Sequence, residues 1–169
     1  MRIIGSANHY PFSWLIRKIT GEKISHIALV FDDILVFHST PAGTHTSWLS
    51  DFLKINTIFI TVPLPLSLVS EENVYFEIIT RRHQRKYDWM GILYQGVMRV
   101  RRIVFGTPIP LENAWQSTNK DFCIEVLNSV DWDSIKIGLQ SKFNELRLDM
   151  MTPGEVICAL EKMVGEICR

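Results

Sequence analysis

Cysteine is scarce in this chain, with three in 169 residues: Cys123, Cys158 and Cys168. An odd and widely spaced set argues against a disulfide framework, and no CxxC pair or Cys/His finger spacing points to structural zinc. Charge of one sign is missing too. Eighteen Lys plus Arg balance eighteen Asp plus Glu, so no global field favours nucleic acid as a partner. No apolar run reaches the ~20 residues of a membrane-spanning helix. The N-terminus lacks a basic region followed by an apolar stretch and a cleavage site, so a cytoplasmic or otherwise non-secreted protein is expected. Repeats and low-complexity segments are absent. What remains is an ordinary globular composition, 47% hydrophobic and 21% charged, expected to form one domain over residues 1–169.

The stretch that organises the chain is Ser25–Thr40, SHIALVFDDILVFHST. Two apolar runs, Ile27–Phe31 and Ile34–Phe37, flank Asp32-Asp33, the signature of a β-hairpin. Each run carries one histidine, His26 at the start of the first and His38 at the end of the second. A neutral imidazole in an apolar strand needs a hydrogen-bond partner. Register decides whether the two rings meet. A two-residue turn pairs residues whose numbers sum to 65 and puts the histidines on opposite faces. A bulged or three-residue turn, with a sum of 64, sets His26 directly across from His38, where cross-strand Cβ atoms lie about 4.5–5.5 Å apart. Aspartate tolerates the left-handed backbone such a turn uses.

Around this hairpin the expected elements are an edge strand near Met1–Ala7, a helix from Pro11 to Thr20 closed by Gly21, and a loop at 41–44. A short helix at Trp48–Leu53 and a strand at Asn56–Leu64 follow. Ser70–Lys86, acidic first and basic last, reads as a helix whose basic end is a solvated face. Asp88 is a good N-cap for a helix to about Met98. Gly106–Asn119 reads as a loop overhanging the site, with Trp115 the expected substrate contact. Asp121 is expected to start a helix carrying Cys123, and Thr152-Pro153-Gly154-Glu155 is a capping box with a proline start.

A cysteine in the first turn of a helix sits where backbone N–H groups and the dipole favour thiolate. Those same groups suit an oxyanion formed after attack on a carbonyl. Cys123 as nucleophile, His26 as base and His38 as the group orienting His26 would complete such a site. Cys158 lies mid-helix among apolar neighbours, where a packed thiol is the default. The same three side chains also suit a zinc site, although no local ligand pair anchors one. A binding module that has lost its chemistry is the third reading.

The run Phe12–Gly21 leading into Ser25-His26-Ile27-Ala28 resembles the start of circularly permuted papain-like proteins of the NlpC/P60 superfamily. Tyr87–Gly91, the Phe122-Cys123-Ile124-Glu125 box and the Thr152–Glu155 helix start are also similar to theirs. The likeness spans about residues 12–160, with histidine before cysteine, the order that marks the permutation. It implies an α+β fold: a small antiparallel sheet packed with helices, one of them presenting the cysteine. It implies cysteine-dependent cleavage or transfer at an amide or ester, with a peptide, amide or acyl-ester substrate and no cofactor or metal. A histidine at position 38 is similar to the lecithin retinol acyltransferase branch, which uses two histidines and a cysteine. That branch's Asn-Cys-Glu-His box is Phe122-Cys123-Ile124-Glu125 here. Acyl transfer and thioester cleavage on the same triad therefore stand beside peptidase or amidase activity.

Overall fold

A computed structural model describes the chain except for residues 65–67, 83, 111–112, 116–119, 122, 131–145, 147, 149 and 168–169. The fold is mixed α+β. Strands β1 (Arg2–Asn8), β2 (His26–Phe31), β3 (Leu35–Thr40), β4 (Gly43–Trp48) and β5 (Asn56–Pro63) form one antiparallel sheet in the order β4-β3-β2-β1-β5. The helices are α1 (Pro11–Thr20), α2 (Leu49–Ile55), α3 (Leu68–Glu77), α4 (Trp89–Phe105) and α5 (Pro153–Ile167). Two-residue strands β6 (Lys86–Tyr87) and β7 (Lys120–Asp121) pair in parallel.

The sheet is covered on both faces, which explains why β2 reads as a continuous apolar run rather than an alternating one. Side chains still alternate in direction. Ile27, Leu29, Phe31 and Phe37 join Ile3 and the α5 residues Val156, Ile157 and Leu160 in the larger core. Ala28, Val30 and Val36 join Ile4 in a smaller one, closed by Phe52 of α2. β1 lies inside the sheet, between β2 and β5, and not at an edge as expected. Its Ile3, Ile4, Gly5, Ser6 and Ala7 are all buried, and it is paired along both sides, with β2 and β5.

Position 41–44, read as loop, instead contains a tight turn into β4. Thr40 pairs with Gly43. Gly43 has φ +109, and a Cβ there would lie 2.6 Å from the Arg85 carbonyl oxygen. Only glycine fits both demands. The helix expected over Ser70–Lys86 ends sooner: α3 runs into a wide turn at Ile78–Arg82. The α4 helix begins as expected, with Asp88 Oδ1 accepting from Gly91 N at 3.1 Å, and runs on to Phe105. At the start of α5 the capping box is reciprocal. Thr152 N donates to Glu155 Oε2 at 2.8 Å and Glu155 N to Thr152 Oγ1 at 3.2 Å. Glu22, just past α1, accepts from the Thr152 hydroxyl and from Gly154 N, ties α1 to α5, and occupies the space a Cβ on residue 154 would need. Among the described residues no helix is long and apolar enough to cross a membrane.

Candidate active site

The two histidines of the hairpin meet. His26 Nε2 and His38 Nδ1 are 3.2 Å apart, in hydrogen-bond contact. Their relation is diagonal rather than directly opposite. The ladder pairs Leu29 with Phe37, Val30 with Val36 and Phe31 with Leu35, a sum of 66 in place of the expected 64. The turn accounts for this. Asp32 and Asp33 both adopt left-handed backbone, at φ 49 and 56, and Ile34 N closes the turn on Phe31 O at 2.9 Å. Ile34 is the third loop residue, so Phe31 pairs with Leu35, and the even sum of 66 keeps both rings on one face. Diagonal neighbours of this kind lie within reach of long side chains.

A third histidine completes the cluster. His45 on β4 stands directly across from His38, with ring centroids 4.6 Å apart. Ser47 Oγ lies 3.3 Å from His38 Nε2, so both nitrogens of His38 are engaged. A neutral His38 therefore donates through one nitrogen and accepts through the other, in either direction along His26–His38–Ser47. Phe52 lies beneath His26 and edge-on to His38. Burial pushes the His26 ring below its ordinary range, to about 4, and His45 adds to the effect. His38 is lowered further by burial, then by His26 and His45. Both rings are neutral at pH 7, which is the state a general base requires.

Cys123 does not sit in the first turn of an α-helix. It lies in a turn that leads, through Ile124, into a short 3-10 helix at Glu125–Ser129. The side chain is 4% exposed and belongs to the larger core, the one containing Ile27 and Leu29. Burial raises the thiol to about 11, with Glu125 adding to the rise, while the backbone N–H groups of Ile27, Cys123 and Ile124 act against it. The sulfur therefore faces a small nest of amides. One of them belongs to the residue that follows His26. Tyr87 is also close: its hydroxyl is raised by burial and then by Cys123. Among the described residues no hydrogen bond joins Cys123 to His26 or His38. Strand alternation explains the separation, since His26 continues the Ala28 and Val30 face and Cys123 packs against the opposite one.

Two adjoining cavities surround this junction. One, of about 520 Å³, is almost wholly apolar; α1 and α4 form its sides, and Cys123, Ile124 and Ser25 line it. The other, of about 410 Å³, holds His26, His38, His45, Ser47 and Tyr87. Phe12, Ile16 and Ser25 line both. Trp115 lines neither. It packs edge-on against Tyr94 of α4 at 5.3 Å, and its backbone is held through Asn113, which donates to Gly91 O at 2.9 Å. The expected overhang at 106–119 is thus tied to the start of α4 at Asn113, and positions 111–112 and 116–119 lie outside the described residues.

His45, Ser47 and Tyr87 were not anticipated from sequence. His45 had a usable signal, since the Pro41-Ala42 turn pairs it with His38. Among the described residues no group of three His, Cys, Asp or Glu side chains converges as a metal site. No family model, curated protein or solved structure matches this chain.

Proposed function

We propose that the protein is a cysteine-dependent hydrolase or acyltransferase acting on amide or ester carbonyls, in a permuted papain-like arrangement. The observation that carries this reading is the Cys123 sulfur facing the Ile27 N–H, one residue from His26, in an apolar cavity that shares Phe12, Ile16 and Ser25 with the histidine-lined one. Neutral His26 takes the thiol proton, and the sulfur attacks the substrate carbonyl. Backbone N–H groups beside the sulfur supply donors for the oxyanion. Protonated His26 then gives its proton to the departing amine or alcohol, leaving an acyl thioester on Cys123. Water or an acceptor alcohol or amine, deprotonated by His26, releases the acyl group and regenerates the thiol. His38, held by Ser47, orients the base. In the described geometry the thiol is buried and protonated, and His26 faces Phe52 on the other side of the sheet. Proton transfer therefore requires the Cys123 turn to move around the start of β2 into contact with His26.

That burial, with no His26–Cys123 hydrogen bond, favours a second reading: a binding module on the same scaffold. Turnover of an activated acyl ester separates the two. Activity abolished by Cys123→Ala and strongly reduced by His26→Ala supports the enzyme. A purified protein with no turnover above that of Cys123→Ala leaves the binding module.

A further inference from the structure

Helix α4 presents an apolar stripe to solvent. Trp89, Leu93, Val97, Val100 and Val104 recur at intervals of three and four, so they share one side of the helix. All five are exposed, and Ile103 and Phe105 at the end of the helix are 70% and 73% exposed. The stripe runs roughly 22 Å, from the 1.5 Å rise per residue. Across an open trough from it stands Leu15 of α1, with exposed Trp14 beside it in the chain. A soluble monomer rarely leaves so large an apolar surface without a use for it.

Charge indicates what covers it. The chain is neutral overall, yet α1 and α4 contain Arg17, Lys18, Arg99, Arg101 and Arg102 and no carboxylate. Arg99 is paired with Glu155, and Arg17 donates to the carbonyls of Ser13 and Asn8. Lys18, whose amine lies over the exposed Trp14 ring, and Arg101, which lines the trough, remain exposed beside the apolar surface. A second copy of the chain would bring the same cations and no carboxylate from these helices to meet them. An anionic lipid surface supplies both missing elements, acyl chains for the stripe and negative headgroups for the cations. Exposed Trp14 and Trp89 suit the headgroup boundary.

We propose that the α1–α4 face docks on anionic lipid bilayers, with α4 lying in the plane of the interface. This does not depend on the chemistry assigned to Cys123. The test is co-sedimentation of the full chain with vesicles of equimolar phosphatidylcholine and phosphatidylglycerol, against phosphatidylcholine alone. Binding is expected on the anionic vesicles, weaker on the neutral ones, and weakened by salt. Lys18→Gln with Arg101→Gln should bind anionic vesicles roughly 25-fold more weakly, at about fivefold per cation near the surface. Leu93→Glu with Val104→Glu should lose at least about tenfold on either vesicle. Absence of wild-type binding overturns the proposal. So does undiminished binding by the stripe variant, or a lipid-free dimer that this variant splits into monomers, which would give the face to a second copy. Should the stripe variant fail to fold, the Lys18/Arg101 variant decides: unchanged binding to anionic vesicles refutes the charge argument and with it the proposal.

Discussion

Alkylation of Cys123 is the perturbation most sensitive to the described geometry. Burial places its thiol at about 11. At pH 8 an ordinary thiol near 8.5 is about one-quarter thiolate, whereas one at 11 is about one-thousandth thiolate, a roughly 250-fold deficit. The more basic anion is intrinsically more nucleophilic and recovers about tenfold, from a Brønsted slope of 0.4–0.5. Chemistry alone therefore slows Cys123 by roughly 20-fold, and its 4% exposure adds an access barrier. Cys158, exposed on α5, serves as the internal standard. Iodoacetamide labelling followed by peptide-resolved mass spectrometry should show Cys158 modified first, with the Cys123 rate still climbing above pH 9. If Cys123 reacts as fast as Cys158 at pH 8, with a rate that levels off below pH 8, the sulfur is not buried as described.

Acid should weaken the fold. His26 has a folded value of about 4 against an ordinary 6.5, and His38 is lowered as well. The unfolded chain then binds more protons below about pH 6.5. The histidines' contribution to stability is complete above that value and falls by roughly 1.4 kcal/mol per pH unit per group as pH drops toward 4. Urea midpoints at pH 7 and pH 5 measure this, and His26→Gln with His38→Gln should flatten the dependence. Thr152→Ala removes one half of the capping box and the hydroxyl bound by Glu22. A loss of about 1–2 kcal/mol is expected in denaturant unfolding. Gly43→Ala forces a Cβ against the Arg85 carbonyl at an unfavourable φ, and a loss of roughly 2 kcal/mol or more is expected; thermal melting at unchanged Tm would contradict that contact.

Local signals in the sequence translated well where one residue type does one job. Pro11 and Gly21 bound α1, Asp88 caps α4, and Thr152 with Glu155 caps α5. The shared face of His26 and His38 follows from a three-residue turn, but the rings are diagonal rather than opposite because the third loop residue is Ile34 and Phe31 stays in β2. β4 went unseen because Gly43-Thr44-His45-Thr46-Ser47-Trp48 has almost no apolar residue to betray a strand. It is an edge strand, recognised only by its pairing with β3. β1 reads as an edge strand for the opposite reason. Its small residues Gly5, Ser6 and Ala7 are buried between two neighbours, and small size reads weakly as burial. Cys123 depended on tertiary packing that no local pattern encodes: Asp121 pairs into β7 instead of starting a helix, which leaves the cysteine in a turn.

Whether Cys123 carries an acyl group is the central question, and intact-mass analysis during turnover of an activated ester answers it most directly. The expected result is a single acyl adduct that maps to the Cys123 peptide, is discharged by hydroxylamine, and is absent from Cys123→Ser. Turnover with no adduct on Cys123, or an adduct that persists on another residue when Cys123 is replaced, would contradict a thioester intermediate at this site.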